Sequence, residues 1–515
     1  MAHLIRRVSQ YPTLQVWAGC VRFRSTAEAG SARYEFASAK PFMDIPFKKG
    51  YPIINNMPEF LRRPGKAHEI IWSRHQQLGP IFREKNGVFD SVMITDVEAL
   101  GDFLRQEGKY PMRTKIQVWD QYRKDSGESD GVLTADGPEW QRMRSVVDKP
   151  LMKIKTVESY ADDFNIVTAE FLDRLARIRG PDGVVQNLDV ELFNWSLESI
   201  CTLLYNKRMG CLTDTRSPDS EQFVKAVRSM LETTVEIAVF PPWLAKLLRP
   251  SKYREFTQSW DTVFRVARQS VDEALVKLKS RTVSEGEEEE AGFLEYLLLK
   301  DTLSKNEIYA NVTELNSAAV DTTSNTLQFI LYEVTKNPDV QKKLREELER
   351  SVPPGEIPTP VHLRTMPYLK AVIKETLRLY PVGSFVGRVA QEDVVIMGYQ
   401  VPKGKMVAVS LYVTGRLPSM YDDPLTFRPE RWLRESRKDG EKPLAFSHLP
   451  FGFGPRMCIG RRVAELEMQL LISQMLQRFD LEPCDQPPPD LLQLVVTRPK
   501  DPVKVKLVDR QPAST

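Results

Sequence analysis

The segment that decides the fold is residues 451–460, which read FGFGPRMCIG. Glycine permits a tight turn at position 454 and a close backbone approach at Gly460. The residues that follow are apolar at helical spacing, namely Val463, Leu466, Leu470 and Met475. Cys458 therefore lies just before a helix, whose positive end lowers the pKa of a nearby thiol and favours the metal-binding thiolate. The segment predicts a metal-binding cysteine.

An isolated cysteine is more often a buried structural residue than a ligand, but this frame of Phe, Gly and Arg is too specific for that. FGFGPRMCIG resembles the heme-binding loop of the cytochrome P-450 family. The resemblance implies heme b between a long distal helix and the loop and helix that carry the cysteine. It makes Cys458 the axial thiolate ligand of the iron. It also assigns cofactor binding to Phe451, Arg456 and Gly460, with Arg456 meeting an anionic group of the cofactor.

The remaining pattern is mostly helical. Ala67–Leu78 is predicted to form a helix that ends at Gly79-Pro80, and Asn86-Gly87 indicates a hairpin turn. Further helices are predicted at Pro367–Leu379 and Gly460–Phe479, and strands at Asp393–Ile396, Met406–Leu411 and Gln493–Val508. The total is a mainly α fold with a small β-rich region, in a single domain over residues 36–515.

A long helix is predicted to begin at Ser304, which forms a capping-box pattern with Glu307, and to extend for roughly 50 Å. Its middle reads AAVDTT, residues 318–323. Taken alone, Asp321 and Thr322 could be ordinary polar residues of a helix. The resemblance makes them the catalytic acid and alcohol that relay protons to dioxygen at the iron. Ala319 stands where the family has glycine, and we expect proton delivery to be intact because both polar residues are present.

Three residues resemble a structural network of the family. Glu375 and Arg378 are spaced i and i+3 on one helix face, and an exposed pair of this kind contributes only tenths of a kcal/mol, roughly. The segment FRPERW, residues 427–432, supplies the expected third member, Arg431. The resemblance implies a buried network that holds the fold around the heme loop without taking part in catalysis.

Two more positions match donors to the heme propionates. Trp140 and Arg144 are spaced i and i+4 and carry donors suited to carboxylates, although an amphipathic helix would often supply such a pair by chance. The resemblance identifies this helix as the propionate-binding helix. Arg388 resembles a further propionate ligand, in a segment that also lines the substrate cavity.

Two lysines, Lys370 and Lys374, are predicted on one helix face, which would ordinarily be a solvated surface. In the mitochondrial branch of the family, matching lysines dock an acidic ferredoxin that receives electrons from an NADPH-dependent reductase. Arg462 resembles a third basic contact of that branch, and residues 107–113 and 460–468 also look like it. The resemblance therefore implies a mitochondrial, adrenodoxin-like ferredoxin as the electron donor.

The chain has 515 residues and a formal net charge of +3. Residues 1–27 contain four Arg and no acid, which is the composition of a mitochondrial transit peptide, with cleavage as late as residue 35. The remainder is close to neutral, so nothing indicates nucleic-acid binding. A membrane anchor would need a run of about 18 apolar residues, which the sequence lacks. The five cysteines of the chain are widely spread and do not form a disulfide framework.

The segment FPPWLAKLLR, residues 240–249, is apolar with basic flanks and is predicted to be a loop between two helices. It could pack in the core. By similarity it covers the substrate entrance and dips into the matrix face of the inner mitochondrial membrane, which gives peripheral attachment.

The implied activity is hydroxylation of a lipophilic substrate, with a sterol, steroid or secosteroid favoured over a xenobiotic or fatty acid. Five apolar or aromatic residues match cavity segments: Val118, Trp119, Phe385, Val386 and Val496. A heme-thiolate isomerase or dehydratase that needs no external electrons is one alternative, but such relatives commonly lack the acid–alcohol pair. A non-catalytic heme or lipid carrier is another, and it would need neither that pair nor a basic docking face.

Overall fold

The computed structural model describes residues 36–215, 218–279, 292–436 and 444–510. The predicted import segment, residues 1–27, lies outside them. Most of the described chain is helical, which confirms the predicted fold class. The α-helices are α1 (Met57–Arg62), α2 (Ala67–Leu78), α3 (Val97–Arg105), α4 (Gln117–Ser126), α5 (Gly137–Met152), α6 (Ile154–Glu158), α7 (Ala161–Ile178), α8 (Leu188–Tyr205), α9 (Pro218–Ile237), α10 (Pro242–Leu248), α11 (Pro250–Lys279), α12 (Phe293–Leu299), α13 (Lys305–Lys336), α14 (Pro338–Ser351), α15 (Pro360–Arg364), α16 (Pro367–Leu379), α17 (Leu411–Thr414) and α18 (Arg461–Arg478). Two 3₁₀ turns are Phe42–Asp44 and Pro429–Trp432.

The strands form one small mixed sheet and three two-stranded ribbons. They are β1 (Ile81–Asn86), β2 (Phe89–Ile94), β3 (Phe385–Val389), β4 (Val394–Ile396), β5 (Tyr399–Val401), β6 (Met406–Ser410), β7 (Phe479–Pro483), β8 (Leu491–Gln493), β9 (Thr497–Pro499) and β10 (Val505–Asp509). The four-stranded sheet has the order β1-β2-β6-β3, in which only the β2–β6 pair is parallel. The ribbons are β7–β10, β4–β5 and β8–β9.

Two predicted helices, α2 and α16, have the bounds that the sequence indicates. The predicted hairpin also forms, but its two-residue turn is Gly87-Val88, one residue later than expected, because Asn86 pairs with Phe89. Gly87 has a φ of +59°, as a turn with glycine at its first central position requires.

Two predictions need correction. Gln493–Val508 is not one strand. Its strand β9 pairs with β8, whereas its strand β10 pairs with β7 in a separate ribbon. The segment 240–249 is not a loop, since residues 242–248 form α10, with Pro242 at the first helical position. A proline there costs no hydrogen bond and has the φ that a helix needs.

Helix α13 is the central element. Ser304 and Glu307 form the predicted capping box, and the helix continues for 32 residues to Lys336. Most of its side chains are buried, and it packs on α8, α11, α16 and α18. A helix that is buried all round must lie in the middle of the core. Helix α18 begins three residues after Cys458, at Arg461, and packs against α7 and α13, so the cysteine loop is attached to that core.

Candidate functional site

The loop before α18 closes on itself. The Cys458 N–H donates to the Phe451 carbonyl at 2.8 Å, and the Met457 N–H donates to the Gly454 carbonyl at 3.0 Å. Gly454 has a φ of +68°, which glycine adopts without strain. Gly460 is the N-cap of α18, and its backbone N–H is hydrogen-bonded to the Cys458 sulfur. The sequence thus builds a turn that holds one thiol at the start of a helix.

The protonation of this thiol differs from the prediction. Burial raises the pKa of Cys458 above its usual value, and it outweighs the opposing effects of the Gly460 N–H, Arg113 and Arg144. The prediction of a lowered pKa was therefore wrong for the protein alone, because the low polarity around the sulfur is the larger effect. Coordination to a metal ion deprotonates a thiol outright, so the site still suits a thiolate ligand.

Accessible atoms inside the core mark a cavity. The Cys458 side chain has accessible surface, although the low polarity around it is the largest influence on its pKa. In the middle of α13, Ala318 is exposed and Ala319 and Thr322 are partly exposed, while the turns on either side are buried. Because protein interiors are close-packed, accessible positions in the centre of a buried helix indicate a built internal space.

Four arginines surround the cysteine loop: Arg113, Arg144, Arg388 and Arg456. Arg388 Nη2 donates to the Phe453 carbonyl at 2.9 Å. Arg144 Nη2 donates to the Met457 carbonyl at 3.0 Å, and Arg113 donates to the Arg456 carbonyl. The guanidiniums therefore hold the backbone of the residues that lead into Cys458.

These arginines carry more positive charge than the neighbouring acids offset. Their ion pairs are Arg388 with Glu107 at 2.9 Å, Arg456 with Asp136 at 2.6 Å and Arg144 with Asp148 at 2.7 Å. Arg113 donates to a carbonyl oxygen instead. Burial, followed by the repulsion of Arg388 and Arg144, lowers the pKa of Arg113 to about 10. A buried excess of cations is a site for a bound anion.

One buried donor beside this cluster is unsatisfied. Trp140 is buried on α5, its ring lies 4.0 Å from the Arg456 guanidinium, and its Nε1 has no hydrogen-bond partner among the described residues. Leaving a buried donor unpaired costs about 1–3 kcal/mol. The unpaired indole, the cationic cluster, the accessible thiol and the internal space fit a flat apolar group with carboxylate substituents. The residues present therefore fit heme.

The structure brings Glu375, Arg378 and Arg431 together. Arg378 donates to the Glu375 carboxylate through Nε and Nη2, each at 2.8 Å, and Arg431 Nε donates to it at 2.9 Å. The Trp432 indole and the Arg428 backbone N–H add two further bonds. Although burial alone would raise the pKa of Glu375, these donors hold it below its usual value. All three predicted side chains are buried or nearly so.

Asp321 and Thr322 occupy different environments. Asp321 is buried, and Asn325 Nδ2 donates to its Oδ1 at 3.1 Å. Burial raises the pKa of Asp321 against the opposing charges of Arg228 and Arg498. The Thr322 hydroxyl is partly accessible and donates to the Ala318 carbonyl at 2.8 Å. The two side chains share no hydrogen bond within the described part of the chain.

The predicted docking residues lie on two helices, α16 and α18. Lys370 is half-buried and donates to the Arg364 carbonyl at 3.2 Å, while Lys374 is exposed. Arg462 is partly exposed, 3.8 Å from Glu465. Burial lowers the pKa of His448 to about 3, helped by Lys374, Arg378 and Arg461. Positive charge from α16 and from the start of α18 therefore meets beside the cysteine loop.

The five predicted cavity residues differ in how much of each side chain is accessible. Phe385 and Val496 present accessible atoms, but Val118 and Trp119 are buried, with the Trp119 indole donating to Thr234 at 2.9 Å. Val386 follows Phe385 along β3 and so points to the opposite face of the sheet, where it packs in the sheet core.

Sequence reasoning missed part of the cationic cluster. Glu107 and Arg113 lie in a segment that resembles the mitochondrial branch, but no spacing connects them to residue 456. Asp136 pairs with Arg456 across 320 residues, and no local pattern announces such a contact. The Trp432 bond to Glu375 is of the same kind.

The comparisons with known proteins agree with this geometry. The family model described as Cytochrome P450 matches residues 45–507. The chain therefore belongs to the cytochrome P450 family, and it is a heme-thiolate monooxygenase with heme held by a cysteine.

The similar curated proteins are mitochondrial members of that family. The chain is 36% identical to the mitochondrial 1,25-dihydroxyvitamin D(3) 24-hydroxylase of Rattus norvegicus, over 88% of this chain and 87% of that protein. It is also 36% identical to the mitochondrial 25-hydroxyvitamin D-1 alpha hydroxylase of Homo sapiens, over 81% and 83%. The mitochondrial sterol 26-hydroxylase of Oryctolagus cuniculus is 36% identical, over 80% and 78%.

Proposed function

We propose that this chain is a mitochondrial monooxygenase that hydroxylates a sterol or secosteroid with dioxygen, and that Cys458 is its iron ligand. The observation that carries the proposal is the accessible Cys458 thiol inside a loop fastened by buried arginines. The substrate class is supported by the relatives, whose names describe vitamin D and sterol hydroxylases. The family match over residues 45–507 supports one monooxygenase domain over 36–515.

The chain's own groups would bind and orient the cofactor. When bound, heme supplies the iron that activates dioxygen, and a thiolate ligand favours O–O cleavage. Trp140 Nε1 and the guanidiniums of Arg144 and Arg388 would donate to its carboxylates, which would satisfy the unpaired indole. Arg113 and Arg456 would add positive charge there. Phe451 and Gly460 would complete the loop that holds the cofactor's thiolate ligand.

Two residues of α13 would move the protons. Because burial raises the pKa of Asp321, its carboxyl holds a proton closer to neutral pH than a solvated aspartate does, and can act as general acid. Asn325 fixes the orientation of that carboxyl. The Thr322 hydroxyl lies where α13 is accessible and would pass the proton into the cavity. The substrate would lie against Phe385 and Val496.

Electrons would arrive at the basic face formed by Lys370, Lys374 and Arg462. The partner would be an acidic, adrenodoxin-like ferredoxin that an NADPH-dependent reductase reduces. Opposite charges on two surfaces accelerate their association, and salt weakens this effect. Arg364 and Arg461 extend the same face beyond the three predicted residues.

We also propose import by residues 1–27 and peripheral attachment to the matrix face of the inner membrane. Within the described ranges, none of the helices is long and apolar enough to cross a bilayer. Helix α10 exposes Trp243, Leu247 and Leu248 beside Lys246. A short helix with aromatic and apolar side chains next to a basic one suits the interface of a membrane.

The test is reconstituted turnover with ferredoxin, its reductase and NADPH against a panel of sterols, secosteroids, fatty acids and xenobiotics. We expect a hydroxylated sterol or secosteroid.

Lys370→Glu with Lys374→Glu should reduce ferredoxin-driven turnover at least tenfold, roughly, because reversed charges repel the acidic partner, and should spare peroxide-driven turnover.

The matched control is Lys336→Glu with Lys342→Glu, which makes the same charge change on exposed positions of α13 and α14. It should retain ferredoxin-driven turnover. Equal activity of the wild type and the Lys370/Lys374 variant with ferredoxin would contradict the docking face. Turnover of fatty acids or xenobiotics, but of no sterol or secosteroid, would contradict the proposed substrate class. Product formation without any electron donor would favour an isomerase or dehydratase, and no product at all would favour a carrier.

A further inference from the structure

Three buried polar residues lie along one face of α13. Asp321, Asn325 and Gln328 are spaced i, i+4 and i+7, which places them on the same stripe of a helix. Their exposed fractions are 7%, 4% and 3%. Buried polar side chains are normally hydrogen-bonded, and each exception calls for an explanation. These three residues, the polar stripe of α13, contain both a chain of hydrogen bonds and one such exception.

The Asn325 amide is held at both of its ends. Its Nδ2 donates to the Asp321 backbone carbonyl at 2.7 Å and to Asp321 Oδ1 at 3.1 Å, which uses both amide hydrogens. Its Oδ1 accepts from Gln328 Nε2 at 3.0 Å. An amide presents donors at one end and an acceptor at the other. The Gln328 bond therefore holds the Asn325 oxygen away from Asp321 and keeps the donors directed at it.

Packing alone does not explain Gln328. Its Oε1 is buried and has no hydrogen-bond partner in the described part of the chain. A buried unpaired acceptor destabilises a fold, and an apolar side chain of the same size would avoid that loss. What Gln328 contributes is therefore its donor, which is directed at Asn325.

The charged groups around Asp321 are already paired. Arg228 and Glu232 lie on α9 and Arg498 lies on β9, and the two arginines favour the ionised carboxylate while Glu232 opposes it. Arg228 pairs with Asp189 of α8 at 3.1 Å, and Arg498 pairs with Glu232 at 2.6 Å. Among the described residues, none of these charged groups is hydrogen-bonded to the Asp321 carboxyl. The amide of the polar stripe is its direct partner.

The orientation of that amide affects the acid. A donor directed at a carboxylate stabilises the ionised form and lowers the pKa. Burial raises the pKa of Asp321, and the Asn325 bond acts against that rise. If the amide turned by half a rotation, its oxygen would repel the carboxylate and accept from the protonated acid. The amide orientation therefore sets how readily Asp321 gives up its proton.

We infer that Gln328 is a positioning residue for proton delivery: it holds the Asn325 amide with its donors on Asp321, so that the acid gives up its proton readily. The inference rests on the proposed role of Asp321 and Thr322 in moving protons. It adds to that role a residue that acts only through Asn325.

The test is infrared titration of the purified holoenzyme, which follows the carbonyl stretch of the protonated carboxyl that Asp321→Asn removes. Gln328→Met keeps the volume and removes the donor. We expect it to raise the midpoint of this titration by roughly half to one pH unit, the effect of losing one hydrogen bond. The product formed per NADPH in the ferredoxin-driven reaction should fall roughly 2–10-fold. Gln328→Asn, which is one methylene too short to reach Asn325, should act in the same way.

The matched control is Gln474→Met. Gln474 Nε2 donates to Asn165 Oδ1 at 2.7 Å, so this change removes the same kind of buried bond between α18 and α7. It should leave the titration midpoint and the product yield at their wild-type values. In an Asn325→Leu background, Gln328→Met should have no further effect, because two residues that act through one contact are not additive.

Three results would overturn the inference. If Gln328→Met leaves the midpoint and the product yield unchanged while Asp321→Asn lowers the yield, Gln328 does not position the acid. If Asp321→Asn itself keeps the wild-type yield, the proposed proton function fails, and the role of Gln328 fails with it. Equal shifts in Gln328→Met and Gln474→Met would show a general effect on the fold instead of an effect on Asp321.

Discussion

At Glu375 five hydrogen bonds converge on one buried carboxylate, from Arg378, Arg431, Trp432 and the Arg428 backbone. From sequence, the Glu375–Arg378 spacing could equally have been a surface pair of little value. Burial makes the contribution of this pair to stability large, because removing the carboxylate would leave two guanidiniums without their counter-charge in a poorly solvated place. Local spacing shows which residues can meet, but only the tertiary fold decides whether water surrounds them.

We therefore predict that Glu375→Gln lowers the free energy of unfolding by about 3–5 kcal/mol. Urea unfolding of the holoprotein, followed by far-UV circular dichroism, would measure it. Asp173→Asn is the control, since Asp173 forms an exposed ion pair with Arg478, and it should cost about 0–1 kcal/mol. A loss at Glu375 no larger than that of the control would show that the network does not stabilise the fold.

Glu467 on α18 is a second buried carboxyl, with an Oε1 that has no hydrogen-bond partner in the described part of the chain. Burial alone raises its pKa to about 8. Between the usual pKa of 4.5 and about 8, the folded protein keeps this proton while the unfolded chain releases it. The unfolded state then binds fewer protons, so stability falls as pH rises through that window.

Glu467→Gln should remove this dependence, because the amide resembles the protonated acid and does not titrate. Unfolding midpoints should be measured at several pH values between 5 and 8, a range that lies between the usual pKa of 4.5 and the folded-state pKa of about 8. The midpoints should fall more steeply with pH in the wild type than in the variant. Parallel slopes for the two proteins would contradict a neutral Glu467 in the fold.

At the scale of elements, α13 anchors the segment between α4 and α5. Its Glu314 accepts from Arg123 at 2.7 Å, from the Leu133 N–H at 2.7 Å and from the Thr134 hydroxyl at 2.6 Å. The same segment ends at Asp136, which pairs with Arg456 of the cysteine loop. One buried carboxylate thus connects α13 to the segment whose Asp136 holds the cysteine loop.

Glu314→Gln should loosen this segment, since a hydrogen bond to a charged group is worth about 1.5–3 kcal/mol. Backbone amides of residues 127–136 should exchange with deuterium roughly 10–100-fold faster, as measured by hydrogen-exchange mass spectrometry. Exchange in the β1–β2 hairpin, which Glu314 does not touch, is the internal control. Unchanged protection of 127–136 would show that the carboxylate is not what holds it.

Elements with local start and stop signals were predictable. Helix α2 ends at Gly79, whose φ of +89° closes it, and α13 begins at its capping box. The breaks in 493–508 were not predictable, because β9 and β10 pair with strands that no local pattern identifies. Helix α10 was missed because two prolines at its start, the N-cap Pro241 and Pro242, suggest a loop, although proline is favourable in a first turn.

At the scale of the whole molecule, the fold gathers four arginines from distant stretches around one short loop. The sequence predicted Arg144, Arg388 and Arg456 through family resemblance, while Arg113 and the acids that pair with the cluster needed the structure. The lowered pKa predicted for Cys458 was wrong because a helix terminus acts locally, whereas burial is a property of the whole chain. The basic face at α16 and α18 is likewise assembled from separate helices.

The most direct measurement is the absorption of the ferrous–carbon monoxide complex of purified Cys458→Ala beside the wild type. We expect the wild type to show the red-shifted band of thiolate-bound heme and the variant to lack it, while Cys484→Ala, a change at a partly exposed thiol, keeps it. A red-shifted band that persists in Cys458→Ala would contradict the assignment of Cys458 as the iron ligand.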